Sequence, residues 1–150
     1  MGLKAISRLV RGSADYEEGS WTPTIAGQTI AGTQTYLTQL GVYTRFGNMV
    51  VAHFNCVMTA KDAATNGNIL IAGLPFESAD GAGFAGALNI VSNVYLEAGY
   101  SQFTIRTRPN GNTSGIVGML GDNVGSTNVN HTHIAADTTI TGVLIYPTDQ

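Results

Sequence analysis

From residue 49 onward, apolar and polar side chains alternate with a period of two. Val50, Ala52, Phe54, Cys56 and Met58 fall on one side of an extended chain, and Val51, His53, Asn55, Val57 and Thr59 on the other. That period predicts a strand with its first face in a core. The second face is half apolar, which predicts contact with a neighbouring subunit. Val42 to Phe46 reads as the partner strand, joined through Gly47-Asn48, residues that tolerate the positive φ of a tight hairpin turn. Further strands are predicted at Asn68 to Ala72, Ala87 to Leu96, Gln102 to Thr107, Gly115 to Leu120 and Thr138 to Tyr146, with Gly, Asn, Asp or Pro between them. Arg108-Pro109-Asn110-Gly111-Asn112 marks a turn. About seven short antiparallel strands at this spacing predict an all-β fold, an antiparallel sandwich of jelly-roll type.

Residues 1–11 depart from that rhythm. Leu3, Ile6 and Val10 recur at helical spacing and Gly12 follows as a stop, so a short amino-terminal helix is predicted. Gly12 to Ser20 reads as a linker. The chain thus divides into an attachment segment of helix and linker at 1–14 and a β module at 15–150.

Only 11% of the residues are charged, against roughly 25% in an ordinary domain, and there are 19 glycines. This is the vocabulary of strands and turns. So few charges predict a surface largely covered by copies of the same chain. The net charge of -3 offers no basic field, which argues against nucleic acid as a partner. A single cysteine, Cys56, excludes an internal disulfide framework, and its place on the core face makes it a small apolar residue. No apolar run approaches the roughly 18 residues of a membrane span, so membrane insertion is not expected. The apolar run at the amino terminus is too broken for a signal peptide, which predicts a chain made and kept in the cytosol.

Three phrases stand in order along the chain: Glu17-Glu18-Gly19-Ser20-Trp21-Thr22-Pro23, Gly41-Val42-Tyr43-Thr44-Arg45-Phe46-Gly47-Asn48, and Gly73-Leu74-Pro75-Phe76. Together they resemble the carboxy-terminal modules of bacteriophage tail fibres and tailspikes. The resemblance covers about residues 15 to 77 by motif and continues as strand rhythm to Tyr146. It implies a homotrimer in the virion tail, acting in host-surface attachment and fibre trimerisation, with a host glycan or protein as receptor. It also implies docking on other tail or baseplate proteins through the amino terminus, where Leu3, Lys4, Ile6, Arg8, Val10 and Arg11 form a basic, apolar-striped segment. A capsid-associated head fibre or decoration protein would share the fold without binding a receptor. A small carbohydrate-active enzyme is the remaining alternative.

The candidate chemistry is sparse. Gly81-Ala82-Gly83-Phe84-Ala85-Gly86 spells a dinucleotide fingerprint, but a strand pattern follows it where the fingerprint needs a helix amino terminus. His131-Thr132-His133 places two imidazoles at i and i+2; in an extended segment they point the same way, and around a threefold axis they would offer a transition metal a cage. No other cofactor is implied. Glycoside hydrolysis needs two carboxyl groups flanking one bond, and Glu77, Asp80, Glu97, Asp122 and Asp137 show no pairing, so the chain is not expected to be an enzyme. Sugar rings stack on exposed aromatic faces beside hydrogen-bonding side chains. Tyr95, on a face with Asn89, Val91 and Asn93, and Tyr100 with Arg106 and Arg108 form the expected receptor-binding set.

Overall fold

The computed structural model describes residues 15–81, 84–109 and 111–149. The predicted helix, with Leu3, Lys4, Ile6, Arg8, Val10 and Arg11, lies outside the described residues. Among those described, strands are the only regular structure: β1 (Tyr16–Trp21), β2 (Thr24–Gly27), β3 (Thr35–Phe46), β4 (Met49–Ala60), β5 (Ile69–Ala72), β6 (Ala85–Val94), β7 (Gln102–Thr107), β8 (Ser114–Gly121), β9 (Gly125–Asn128) and β10 (Ile134–Pro147).

The strands form one antiparallel sheet in the order β1-β3-β4-β10-β6-β7-β8-β5-β2, with β9 on β8 to one side. The sheet curls on itself. Ile25 of β2, at one end, shares a core with Val50, Phe54 and Met58 of β4 and with Ile140 and Leu144 of β10. The Tyr36 hydroxyl of β3 accepts the Ile25 backbone N–H at 2.7 Å across the gap. The expectation of a sandwich is therefore met in a modified form: the two layers are limbs of one continuous sheet.

The predicted hairpin is present and longer than its sequence pattern. Phe46 pairs with Met49 around Gly47, whose φ of 61° is the positive value the turn requires. The even-numbered residues of β4, Val50 to Met58, are all buried, as the alternation predicts. Ile140, Leu144 and Tyr146 of β10 are fully buried beside them, and each large apolar side chain so placed contributes roughly 1.5–3 kcal/mol. Burial also pushes the Cys56 thiol and the Tyr146 phenol up to about 12. A bulge in β3 sets which residues face inward. Tyr36 pairs with Met58 and Thr38 with Val57, which leaves Leu37 extra and exposed. Beyond it the inward positions become Gln39, Gly41, Tyr43 and Arg45.

Two expectations are corrected. The stretch to Ser20 is not linker throughout, because Tyr16–Trp21 pairs residue for residue with β3. Its acidic residues disguised it; β1 is an edge strand, where charge is tolerated and guards an open edge. β6 ends at Val94 rather than Leu96. Asn93 there has φ 58°, and the pairing with β10 slips between Ile134 and Thr139. Tyr95 consequently follows the strand instead of sharing its face with Asn89, Val91 and Asn93.

Candidate functional site

The three sequence phrases meet in space. Trp21 pairs with Gly41, Gly19 with Tyr43 and Glu17 with Arg45. The Trp21 ring covers Gly41 so closely that a Cβ there would lie 2.6 Å from it, and Tyr43 likewise covers Gly19 at 2.8 Å. Trp21 Nε1 donates to the His53 carbonyl at 3.1 Å. Tyr43 meets Phe76 edge to face at 5.3 Å, and the Arg45 guanidinium stands 4.9 Å from the centre of the same ring. Glu17 accepts the Tyr43 hydroxyl at 2.7 Å, which raises the phenol pKa, and lies 3.7 Å from Arg45. Gly73 holds φ 86° with space for no Cβ, since the Thr22 carbonyl would be 2.6 Å away. These contacts lock β1, β3 and the segment after β5 together and build the module.

The histidines lie in a turn between β9 and β10, not in an extended segment. Asn130 Oδ1 accepts both the Thr132 N–H at 2.9 Å and its hydroxyl at 2.6 Å, and this local bonding bends the chain. His131 Nδ1 accepts the Gly67 N–H at 3.2 Å. The carbonyls of His131 and Ile134 both accept from Lys61 Nζ. His133 is buried: its Nδ1 accepts the Asn130 N–H at 3.0 Å, so Nε2 carries the proton toward Glu97 Oε1 at 2.8 Å. The parallel placement expected of His131 and His133 is thus corrected, since each ring serves its own turn. Among the described residues no group of three or more His, Cys, Asp or Glu is placed to hold a metal ion.

The expected receptor set is divided. Tyr95 is 63% exposed and stacks on His133 with ring centres 6.1 Å apart. With Asn93, Thr132 and Ala135 these two rings line a shallow cleft of about 380 Å³. Tyr100 packs half-buried against the core. Arg108 lies beyond the end of β7, with its backbone N–H on the Ser114 carbonyl at 3.0 Å and its carbonyl accepting the Ser78 hydroxyl at 2.6 Å. Arg106 lines a different cleft from Tyr95.

That second cleft escaped the sequence reading. It is a trough of about 180 Å³ across the outer face of β7, β8 and β9, where Gly118 of β8 lies between Thr104 of β7 and Asn128 of β9. Ile116 and Leu120 continue its floor; Thr104, Arg106, Ser126 and Asn128 form its walls. Gly125-Ser126-Thr127-Asn128 carries no apolar alternation, so nothing in the sequence marked it as a strand.

A third feature is apolar. On the outer face of β3, β4 and β10, Leu40 is 58% exposed, Val42 48% and Ile145 47%. Leu40 and Val42 join His53, Asn55 and Thr141 around a depression of about 350 Å³. This includes the half-apolar face that the alternation in β4 pointed to.

A curled antiparallel sheet of this kind also occurs in a tailspike protein of known structure. The crystal structure of the Dettilon tailspike protein superimposes on 88% of this chain with a TM-score of 0.71 and 15% sequence identity. The chain spans 24% of the length of that protein. No protein-family model and no curated protein sequence matches the chain. At this identity the likeness establishes the shared fold.

Proposed function

We propose that the chain is a structural component of a bacteriophage tail, a tailspike-type module that trimerises and attaches the virion to its host. The observation that carries this reading is the fold shared with the Dettilon tailspike over 88% of the chain. Closed cyclic assembly supplies a cover for the exposed Leu40, Val42 and Ile145, because equal faces bury one another without leaving strand edges open. In this reading the module acts by binding rather than catalysis. The receptor is a host-surface glycan met by the Tyr95 cleft and the outer strands, and the segment with Leu3, Lys4, Ile6, Arg8, Val10 and Arg11 docks on tail or baseplate proteins. A metal at His131 and His133 does not enter the reading, since both ring nitrogens of His133 already face partners.

Light scattering on the purified chain, together with competition between that chain and intact virions for host cells, tests the proposal. The expected result is a trimer that slows virion adsorption. A monomer at micromolar concentration would overturn the assembly, and a trimer that coats capsids and ignores host cells would overturn the attachment role.

A further inference from the structure

The geometry points to the trough across β7, β8 and β9 as a subsite for a saccharide bearing a carboxylate, anchored by Arg106. The inference rests on the host-glycan reading above and adds the class of sugar. Arg106 is the charged group of the trough, in a chain whose acidic residues outnumber its basic ones. The two ion pairs among the described residues are Arg45 with Glu17 and His133 with Glu97, so Arg106 stands in neither. Its Nη2 reaches Asn128 Oδ1 at 3.4 Å, longer than the usual 2.7–3.2 Å. That contact leans the guanidinium across the trough and leaves its planar fork the better part of its donors. A carboxylate accepts two parallel N–H bonds from such a fork.

The remaining walls match a sugar. Thr104, Ser126 and Asn128 offer hydroxyl and amide groups that donate and accept, as ring hydroxyls require. The floor is flat because Gly118 has no side chain, and the partly exposed Leu120 beside it offers apolar surface to ring C–H groups. A Cβ on Gly118 would lie 3.1 Å from both Thr104 Cγ2 and the Thr127 carbonyl, so the floor is open for want of one methyl group. At about 180 Å³ the trough is smaller than the roughly 300–1,000 Å³ of a drug-sized site, which fits one sugar ring whose neighbours remain in solvent.

The test presents the full chain with an array that pairs uronic-acid and sialic-acid oligosaccharides with neutral counterparts. Acidic members should be retained preferentially, and less so as salt is raised. Arg106→Gln should weaken that retention about tenfold or more, the scale of hydrogen bonds to a charged group. Arg106→Lys should restore only part, and Gly118→Ala should weaken it while the melting temperature stays near that of the parent chain. Equal retention of acidic and neutral sugars, or acidic binding untouched by Arg106→Gln, overturns the inference. Cell adsorption separates it from the broader reading. Adsorption to host cells that is the same for the parent chain, Arg106→Gln and Gly118→Ala would sink the trough and spare host binding, whereas Arg106-dependent sugar binding without adsorption would do the reverse.

Discussion

Glycine does opposite work in two parts of the sheet. At the β1–β3 corner, Gly19 and Gly41 lack side chains so that Tyr43 and Trp21 can lie flat on the strands, within 2.6–2.8 Å of where a Cβ would stand. At the β7–β9 face, Gly118 also sits between larger cross-strand neighbours, yet they stop at 3.1 Å and the space above it opens outward. A strand glycine marks a close approach of something else. At the corner that something is the protein's own aromatic side chains, and on the open face it is left for a ligand. The three phrases that resemble tail-fibre and tailspike modules belong to the corner, so the most recognisable residues are those that build the module rather than those that would contact a host.

The sharpest way to break this comparison is to empty the corner. Trp21→Ala removes a ring that packs on Gly41, meets Phe54 at 6.2 Å and donates to His53. A loss of about 3–5 kcal/mol is expected in chemical denaturation, the range for deleting a large buried aromatic. A loss below about 1 kcal/mol would show that the corner is ornament and that closure of the sheet lies elsewhere.

Filling the glycines should sharpen it further. Gly41→Ala drives a methyl group into the Trp21 ring and should cost about 1–3 kcal/mol, as overpacking does. Gly118→Ala meets atoms that need to give only a few tenths of an ångström and should change stability much less, while it narrows the trough. In a double-mutant cycle, Gly41→Ala in the Trp21→Ala background should lose most of its cost, because contacting residues are not additive. Equal costs at Gly41 and Gly118 in thermal melts would erase the distinction between the two faces.

The sequence revealed these regions unequally. Alternation and Gly47-Asn48 made the β3–β4 hairpin legible, since both are signals carried within a few residues. β1 was hidden because Glu17 and Glu18 read as solvent, although Gly19 and Trp21 after them already face inward. β9 was hidden because a wholly polar strand has no pattern. Asn130 turned His131-Thr132-His133 away from the extended path by bonding Thr132, a competition that residue spacing does not express. For the corner, the phrases were visible but their meeting was not: the edge of Tyr43 on Phe76 is a contact between distant parts of the chain that only the curl of the sheet creates. The trough kept the first difficulty, since the hidden β9 completes a run of strands that are neighbours in sequence, and Arg106 alone of its walls was marked as a candidate.

The smallest expected effect concerns a polar counterpart of the corner, where the start of β3 is tied to the end of β4. Asp62 Oδ2 accepts the Thr33 N–H at 2.8 Å and Oδ1 accepts the Ala64 N–H at 2.9 Å. These bonds favour the carboxylate, first the one to Ala64 and then the one to Thr33, and hold its pKa below the ordinary value of about 3.9. With the folded pKa below the unfolded one, the stabilisation is present above the ordinary carboxylate pKa and disappears as pH falls through the lower, folded value. Asp62→Asn keeps one carbonyl oxygen and loses the charge, so it should melt slightly below the parent at pH 7, with the gap closing as the buffer is taken down through the carboxylate range. The cost of Gly41→Ala, a matter of volume, should persist across the same series. A gap for Asp62→Asn that is independent of pH would mean that the side chain acts by shape alone, and the polar tie would then belong with the aromatic corner instead of standing as its charged counterpart.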